Sequence, residues 1–404
     1  MKIPQTLINR EVYIQRIQPF MRKSIAKVLI GQRRVGKSFL LFQLMDKVQQ
    51  EEPDANIIYL NFEDFAFSQI KSAEDMYTYI SSRLVEGKYN YIFIDEIQEI
   101  EHFEKVVRSL LLNPFNDVYI TGSNAKMLSG ELVTYLSGRY VEFKIYSLSY
   151  LEFLQFHRLE NTRQSMDLYS RYGGLPYLIN LPLTDEVVNE YLKSVYSTIV
   201  FRDVVSRYNL RNIDFLEKLI RFLAENIGSL FSAKNISDYL KSQHTTISVT
   251  QIQNYTHYLS SAFLIHRVGR YDLVGKRVFE IGEKYYFENL GIRNIVIGYR
   301  ITDRAKLLEN LVYNHLLYLG YEVRIGYIGD KEIDFIGEKS NEKIYVQVAL
   351  QIDNEVTAQR EFGNLLKIPD NYPKIVVTDE AFQGNTYEGI RHYSIQDFLS
   401  GFGG

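Results

Sequence analysis

The chain has 404 residues, 46% hydrophobic and 24% charged, a make-up that suits an ordinary globular protein of two or three domains. Its net charge of -3 supplies no bulk basic field for nucleic acid, so any such contact would need a local patch. Zero cysteines exclude disulfides and thiolate metal sites, and the 7 histidines are scattered with no pair at helical ligand spacing.

At the start, MKIPQTLINREVYIQRIQPF lacks the continuous apolar stretch of an export signal. No apolar run approaches the length that crosses a bilayer, so a cytoplasmic protein without membrane insertion is expected. The 32 tyrosines and 24 phenylalanines are spread along the chain and read as core and interface filler.

The first strong signal is KVLIGQRRVGKSFLLFQL, Lys27 to Leu44. A short apolar strand runs into GQRRVGKS, which fits G-x-x-x-x-G-K-[ST], and Phe39, Leu40, Leu41, Leu44 and Val48 then recur at helical spacing. Glycines at 31 and 36 let backbone N–H groups curl around phosphate oxygens, and the helix N-terminus adds its positive dipole end. Lys37 is expected to reach the β- and γ-phosphates, and the Ser38 hydroxyl to be a Mg²⁺ ligand. Gly31, Arg33, Arg34 and Val35, with Gly36, Lys37, Ser38 and Phe39, form the candidate ATP-binding set.

Two strands are expected next, NIIYLNF (Asn56 to Phe62) and the run Tyr91 to Ile94 inside KYNYIFIDEIQEI. The second ends in Asp95-Glu96. A strand end beside the phosphate-loop strand would aim Asp95 at the Mg²⁺ shell, and Glu96 would polarise the attacking water as general base. An extra strand between the nucleotide motifs, together with the glutamate, points to the division of P-loop proteins with an additional catalytic acid. DVYITGSNAKML is a further strand whose end carries Ser123 and Asn124. Asn124 is a candidate γ-phosphate sensor, or else a helix N-cap. Arg139 in YLSGRYVEF is a candidate for the arginine that neutralises transition-state charge, within its own chain or across a homo-oligomer boundary. Its other reading is a surface partner of Glu142 or Glu131.

GQRRVGKS, YIFIDEIQ, ITGSNAKML, LSGRYVEF and RYGGLPYLI occur in this order. In this the chain resembles prokaryotic AAA-type ATPases related to the archaeal ATPases and to signalling NTPases of the STAND group. The resemblance continues through YYFENLGIRNIVIGYR and LLENLVYNHLLYLGYEV into the C-terminal domain of unknown function that such proteins carry. It implies an ATP site at Gly31, Gly36, Lys37, Ser38, Asp95 and Glu96, a sensor at Asn124 and a finger at Arg139, with ATP and Mg²⁺ as cofactors.

The middle of the chain, to about Tyr196, reads as helices broken by the GGLP turn, resembling a helical lid. FLEKLIRFLAENIG, SAKNISDYLKSQ and ISVTQIQNYTHYLSSAFL are three helices, with Ser232 an expected N-cap. LIHRVGRYD and KRVFEIG then suggest a hairpin, giving the order of a winged helix-turn-helix. Gln251, Gln253, Asn254 and His257 would face outward on its third helix, with Arg267, Arg270, Lys276 and Arg277 on the ribbon. The basic residues are few and diluted by Glu280 and Glu283, which favours a protein partner over nucleic acid.

EIDFIGEKSNEKIYVQVAL, Glu332 to Leu350, reads as two strands around a charged turn and resembles the core of PD-(D/E)xK nucleases. Glu309, Asp334 and Gln347 fall at the corresponding places, but Ala349 stands where the lysine should be, so an active nuclease would need a migrated lysine, Lys331 or Lys343. A nuclease-like fold used for binding is the expectation.

The expected fold class is thus α/β: a P-loop NTPase parallel sheet (1–150), a helical lid (151–210), a winged helix (211–283) and a restriction-endonuclease-like α/β domain (284–404). The expected function is Mg²⁺-dependent ATP binding and hydrolysis that drives a conformational switch or remodels a macromolecular partner. The alternatives are a DNA- or RNA-binding protein with a regulatory ATPase, or an interaction scaffold that binds nucleotide without turnover.

Overall fold

The computed structural model describes residues 7–125, 135–136, 138–242, 247–273, 282–329, 331–352, 355–380 and 386–403. The chain forms two compact units, one of residues 1–146 and 261–263, the other of residues 147–260 and 264–404.

The first unit is built on five parallel strands, β1 (Ala26–Ile30), β2 (Asn56–Asn61), β3 (Asn90–Asp95), β4 (Asn116–Gly122) and β5 (Tyr140–Lys144), in the order β2-β3-β4-β1-β5. Helices α1 (Glu11–Ile17), α2 (Lys37–Glu51), α3 (Ala73–Ser81) and α4 (Phe103–Leu110) accompany it. Parallel strands need crossover connections and are covered on both faces, which is why β1, β3 and β4 are buried along their whole length. Val28, Ile30, Ile92, Ile94, Val118 and Ile120 make the core with Val107 and Leu110 of α4. On the other face of the sheet Lys27 of β1 is fully buried, ion-paired with Asp117 of β4, its ammonium 4.3 Å from the Tyr119 ring centroid.

One expectation of neighbourhood is corrected. The strand bearing Asp95 is not directly beside the phosphate-loop strand, because β4 lies between β3 and β1 with pairings Ile94↔Ile120 and Ile30↔Gly122. The strand that intervenes in sequence, β2, sits at the sheet edge. Any partnership between the two nucleotide motifs must therefore reach across the end of β4.

The second unit begins with helices α5 (Tyr150–His157), α6 (Arg163–Tyr172) and α7 (Asp185–Thr198), the last continuing as a π-helical segment, Ile199–Ser206. Helices α8 (Ile213–Glu225), α9 (Ala233–Ser242) and α10 (Val249–Ser261) follow, and the Ser232 hydroxyl accepts from Asn235 N–H at the start of α9. Then come β6 (Ile265–Asp272), β7 (Glu283–Phe287), α11 (Leu290–Ile297), α12 (Arg304–Leu319), β8 (Glu322–Ile328), β9 (Lys331–Lys339) and β10 (Glu342–Ala349). The chain closes with α13 (Glu355–Leu366), β11 (Lys374–Thr378), β12 (Thr386–Tyr387), β13 (Ile390–Ser394) and α14 (Ile395–Gly401). The strands form one mixed sheet in the order β12-β13-β11-β10-β9-β8-β6-β7.

The ribbon after α10 differs from expectation. Six of the seven residues of KRVFEIG, 276–281, lie outside the described residues, and the antiparallel partner of β6 is β7, with Ile265 opposite Phe287. Because β6 also pairs with β8 in parallel, the expected boundary at 283 falls inside a continuous sheet. β6 is thus flanked by β7 and β8, which pair the backbone groups on both of its edges.

Close packing of α6 against α11 explains one glycine. A Cβ at Gly291 would sit 2.0 Å from the Tyr172 carbonyl oxygen, so no other residue fits there. Nearby, the wholly buried Arg293 donates from Nε to the Ala224 carbonyl at 2.9 Å and from Nη2 to Asp303 at 2.6 Å, tying α11 to α8 and to the turn before α12.

His315 of α12 is buried, its Nε2 3.2 Å from the Phe402 carbonyl oxygen, and burial lowers its pKa to about 4. Between about pH 6.5 and 4 the unfolded chain takes up a proton here that the folded chain refuses. Stability from this group is therefore complete above that window and falls as pH drops through it, by roughly 3 kcal/mol at the acid end. His315→Gln keeps a donor without the titration. It is expected to flatten the decline in urea midpoint between neutral pH and about pH 4.5.

Candidate nucleotide site

The loop after β1 is shaped by two glycines with different duties. A Cβ on Gly31 would lie 2.1 Å from the Ile145 carbonyl oxygen, because the chain after β5 closes on the loop with Ile145 N–H donating to Ile30 O at 2.7 Å. Gly36 takes φ +96° immediately before α2 begins at Lys37, a left-handed turn that a side chain would strain. Between them Arg34 also adopts a positive φ, +70°, and points to solvent, while Val35 is buried. Arg33 is buried too and pairs with Glu63 at 2.8 Å. Phe39 is 51% exposed, with its ring edge-on to Phe42.

The Lys37 ammonium is buried over the loop, donating to the carbonyls of Gly31 and Gln32 at 3.0 Å each. It lies 3.9 Å from Glu96 Oε1. Glu96 has the left-handed φ of +52°, an uncommon conformation for a residue with a side chain, and its N–H donates to Thr121 Oγ1 at 2.9 Å. The same hydroxyl donates to Asp95 Oδ1, so Thr121 on β4 joins both acids of β3. Asp95 also bonds the Ser38 hydroxyl and accepts from Tyr59 OH at 3.4 Å. Lys37, Ser38, Asp95 and Glu96 are thereby gathered at one end of the sheet, across the end of β4.

Their electrostatics diverge. Burial raises the Asp95 carboxyl above its ordinary range, more than Ser38 and Thr121 lower it. Burial would likewise raise Glu96, but Lys37, Gln98 and Arg33 outweigh it and hold that carboxyl below its ordinary value. A buried carboxylate sharing a contact with a hydroxyl supplies hard oxygen donors whose burial cost a cation would relieve, so Ser38 and Asp95 fit a Mg²⁺ ion.

Two of the sequence candidates fare differently. Asn124, just after β4 at the same end of the sheet, is buried with Ser123. Arg139 is exposed and its carbonyl accepts from Ala26 N–H, so it stands at the start of β1 and β5. That is the opposite end from the loop, removed from it by the five residues of β1, roughly 16 Å. As an arginine acting in its own site, Arg139 is therefore set aside.

Three supporting residues went unread in the sequence. Gln98 Nε2 donates to Glu96 Oε2, a contact whose only cue was position two after the acid. Gln32 Nε2 donates to the Phe263 carbonyl at 2.8 Å, where the chain returns to the first unit at 261–263. Arg10 is buried and donates from Nη1 to the carbonyls of Val35 and Tyr146, both at 3.0 Å, while its N–H donates to Gln43 Oε1. No local pattern announces these long-range partners.

In the second unit, Glu309, Asp334 and Gln347 are brought together. Asp334 N–H donates to Gln347 Oε1 at 3.4 Å, and Asp334 Oδ2 accepts from Val348 N–H at 2.8 Å. The lysine among them is neither Lys331 nor Lys343, the latter pairing with Glu338 at 3.2 Å. It is Lys284 of β7, whose Nζ lies 2.9 Å from Glu309, 2.6 Å from Glu332 and 3.7 Å from Asp334. The signal available was Lys284 and Tyr286 at strand spacing: both reach Glu309, the tyrosine hydroxyl at 2.6 Å.

On α10, Gln253, Asn254 and His257 are exposed and Gln251 is half-buried, as an outward face requires. The basic side chains of the ribbon are engaged locally. Arg267 pairs with Glu283 at 2.7 Å and Arg270 stacks 3.5 Å from the Tyr327 ring centroid, while Lys276 and Arg277 lie outside the described residues. Among the described residues no helix is long and apolar enough to cross a membrane.

A phosphate-type loop opening a helix on a β2-β3-β4-β1-β5 parallel sheet, with two acids at the end of β3, defines the class of P-loop proteins with an additional acid. The family model described as AAA domain matches residues 23–154, and one described as a domain of unknown function matches 163–302. An uncharacterized protein of Haemophilus influenzae is 38% identical over 98% of this chain and 99% of its own length. Another, of Methanocaldococcus jannaschii, is 30% identical over 96% of this chain and 88% of its own length. Among solved structures, a Walker-type ATPase of Pyrococcus abyssi superposes with a TM-score of 0.49 at 14% identity, covering 72% of this chain and 96% of that one. The chain belongs to this family of prokaryotic AAA-type P-loop ATPases.

Arg10 is the support most easily tested. Arg10→Ala leaves two buried carbonyls without their donor, a loss of about 3 kcal/mol of stability, and loosens the loop at Val35. A fluorescent MgATP analogue is expected to bind the variant roughly tenfold more weakly, and Arg10→Lys, which lacks the planar fork, to recover only part of the affinity.

Proposed function

We propose that the first unit binds MgATP and hydrolyses it, and that the cycle drives a conformational switch that acts on a protein partner. The observation that carries this reading is the convergence of Lys37, Ser38, Asp95 and Glu96 around the loop, with the Lys37 ammonium 3.9 Å from Glu96. In this reading the loop amides and Lys37 receive the phosphate oxygens. Ser38 and Asp95 would hold Mg²⁺, which would supply positive charge against the negative charge on the phosphoryl oxygens. Glu96, kept ionised by Lys37, accepts a proton from the attacking water, and Gln98 sets its orientation. Asn124 is assigned to the γ-phosphate side of the site. Arg139, remote from its own loop, would serve only the site of a second copy.

The switch is supported by Gln32. This loop residue holds the Phe263 carbonyl, and the chain on either side of residues 261–263 belongs to the second unit. A protein partner is favoured over nucleic acid because Arg267 and Arg270 already have local partners. In this reading α8, α9, α10 and the β6–β7 ribbon serve as a winged helix for protein contact, and the order α12-β8-β9-β10-α13-β11 as a nuclease-like fold retained for binding.

Phosphate release by the purified chain tests the reading. Lys37→Ala is expected to lose MgATP binding, whereas Glu96→Gln is expected to bind MgATP as wild type does and to turn over roughly 100-fold more slowly or worse. Wild-type release no faster than that of Glu96→Gln would remove hydrolysis, and equal MgATP affinity in wild type and Lys37→Ala would remove the site itself.

A further inference from the structure

The acids of the second unit are arranged as a cation site, and the cation is part of the chain. Lys284 is only 4% exposed, and its ammonium contacts Glu309 from α12 and Glu332 from β9, with Asp334 of β9 at 3.7 Å. Further donors reach the same three acids, at the Glu309 oxygen that Lys284 contacts and at the second oxygens of Glu332 and Asp334. Tyr286 OH donates to Glu309, Tyr327 OH to Glu332 and Val348 N–H to Asp334. On the far side, a Cβ at Gly228 would lie 2.7 Å from Glu309 Oε2, so the backbone there closes over the carboxylate.

A divalent ion needs oxygens at about 2.0–2.6 Å, closer than the 2.6–3.7 Å spacing around this ammonium. To enter it would also have to displace Lys284 and leave a buried ammonium unpaired. Among the described residues no group of three or more acidic, histidine or cysteine side chains could hold a metal ion. The residues therefore do not fit the metal centre that their resemblance to PD-(D/E)xK nucleases implies.

We propose that the Lys284 ammonium is the resident cation of this centre, joining β7, α12 and β9 through Glu309, Glu332 and Asp334 and closing the centre to divalent metal. Burial, then the Glu309 charge, push the Asp334 carboxyl up against the pull of Lys284, so the crowding of acids around the ammonium is itself costly without that cation. The second unit on this account is not a metal-dependent nuclease. The centre is a charge lock that fixes the edge strand β7 to the rest of the sheet. The proposal is independent of the nucleotide reading, because none of its residues lies in the first unit.

The test uses the full chain, without nucleotide, and Mn²⁺ as probe, followed by calorimetric titration and by melting temperature. Wild type and Asp334→Asn are expected to respond to Mn²⁺ identically. Lys284→Met keeps the aliphatic stem and removes the charge. It is expected to melt lower than wild type, to bind Mn²⁺ roughly tenfold or more tighter at one additional site, and to regain melting temperature as it does so. The double variant Lys284→Met/Asp334→Asn is expected to lose that gain. Mn²⁺ binding by wild type that Asp334→Asn abolishes would overturn the proposal, as would a folded Lys284→Met that gains no Mn²⁺ site. If Lys284→Met does not fold, the wild-type and Asp334→Asn titrations still decide: the same response in both sustains the proposal, and a difference overturns it.

Discussion

The buried Asp95 carboxylate, reaching over the end of β4 to Thr121 and Ser38, is the contact on which the architecture of the first unit depends. The two nucleotide motifs lie on strands that do not touch, so their side chains must bridge a third strand. Ser38 with Asp95 and Lys37 with Glu96 make that bridge, and Thr121 of β4 holds the two acids in place by donating to Asp95 and accepting from the Glu96 N–H. A hydroxyl both accepts and donates, and no apolar residue of similar size could satisfy both groups. The left-handed backbone at Glu96 is the accompanying strain, held by the hydrogen bond to Thr121 and by its proximity to Lys37.

The two units handle buried charge in related ways. In the first, Lys27 and Asp117 pair inside the sheet while Lys37 and Glu96 face one another at its end. In the second, Lys284 is surrounded by three acids and Arg293 is paired with Asp303. Buried pairs of this kind add little net stability over apolar packing but are costly to break singly, so they tie an element to one position. The difference lies in reserve. The loop carbonyls and Glu96 leave Lys37 with partners it can exchange for phosphate oxygens, whereas Lys284 is enclosed by carboxylates on several sides.

A modest net charge does not describe the local field. The Arg10 guanidinium is buried against the loop carbonyl of Val35, and Arg33 beside Glu63, so the positive character of the loop is partly structural. Of the exposed basic residues expected to touch nucleic acid, Arg267 and Arg270 are held by an acid and an aromatic ring.

Sequence alone determined the loop, its helix and the acids at the end of β3. Each is a local pattern: glycine spacing sets backbone curvature, and a four-residue apolar run sets a buried strand. The strands β9 and β10 and the cap at Ser232 were legible for the same reason. Only the tertiary structure decided that β4 separates the two nucleotide strands, that Arg139 stands at the far end of the sheet, and that β6 joins β8. It also decided that the lysine among Glu309, Glu332 and Asp334 comes from β7, 25 or more residues away in the chain. Strand order and long-range ion pairs arise from how separate elements share a core, and that sharing leaves no periodic trace along the chain.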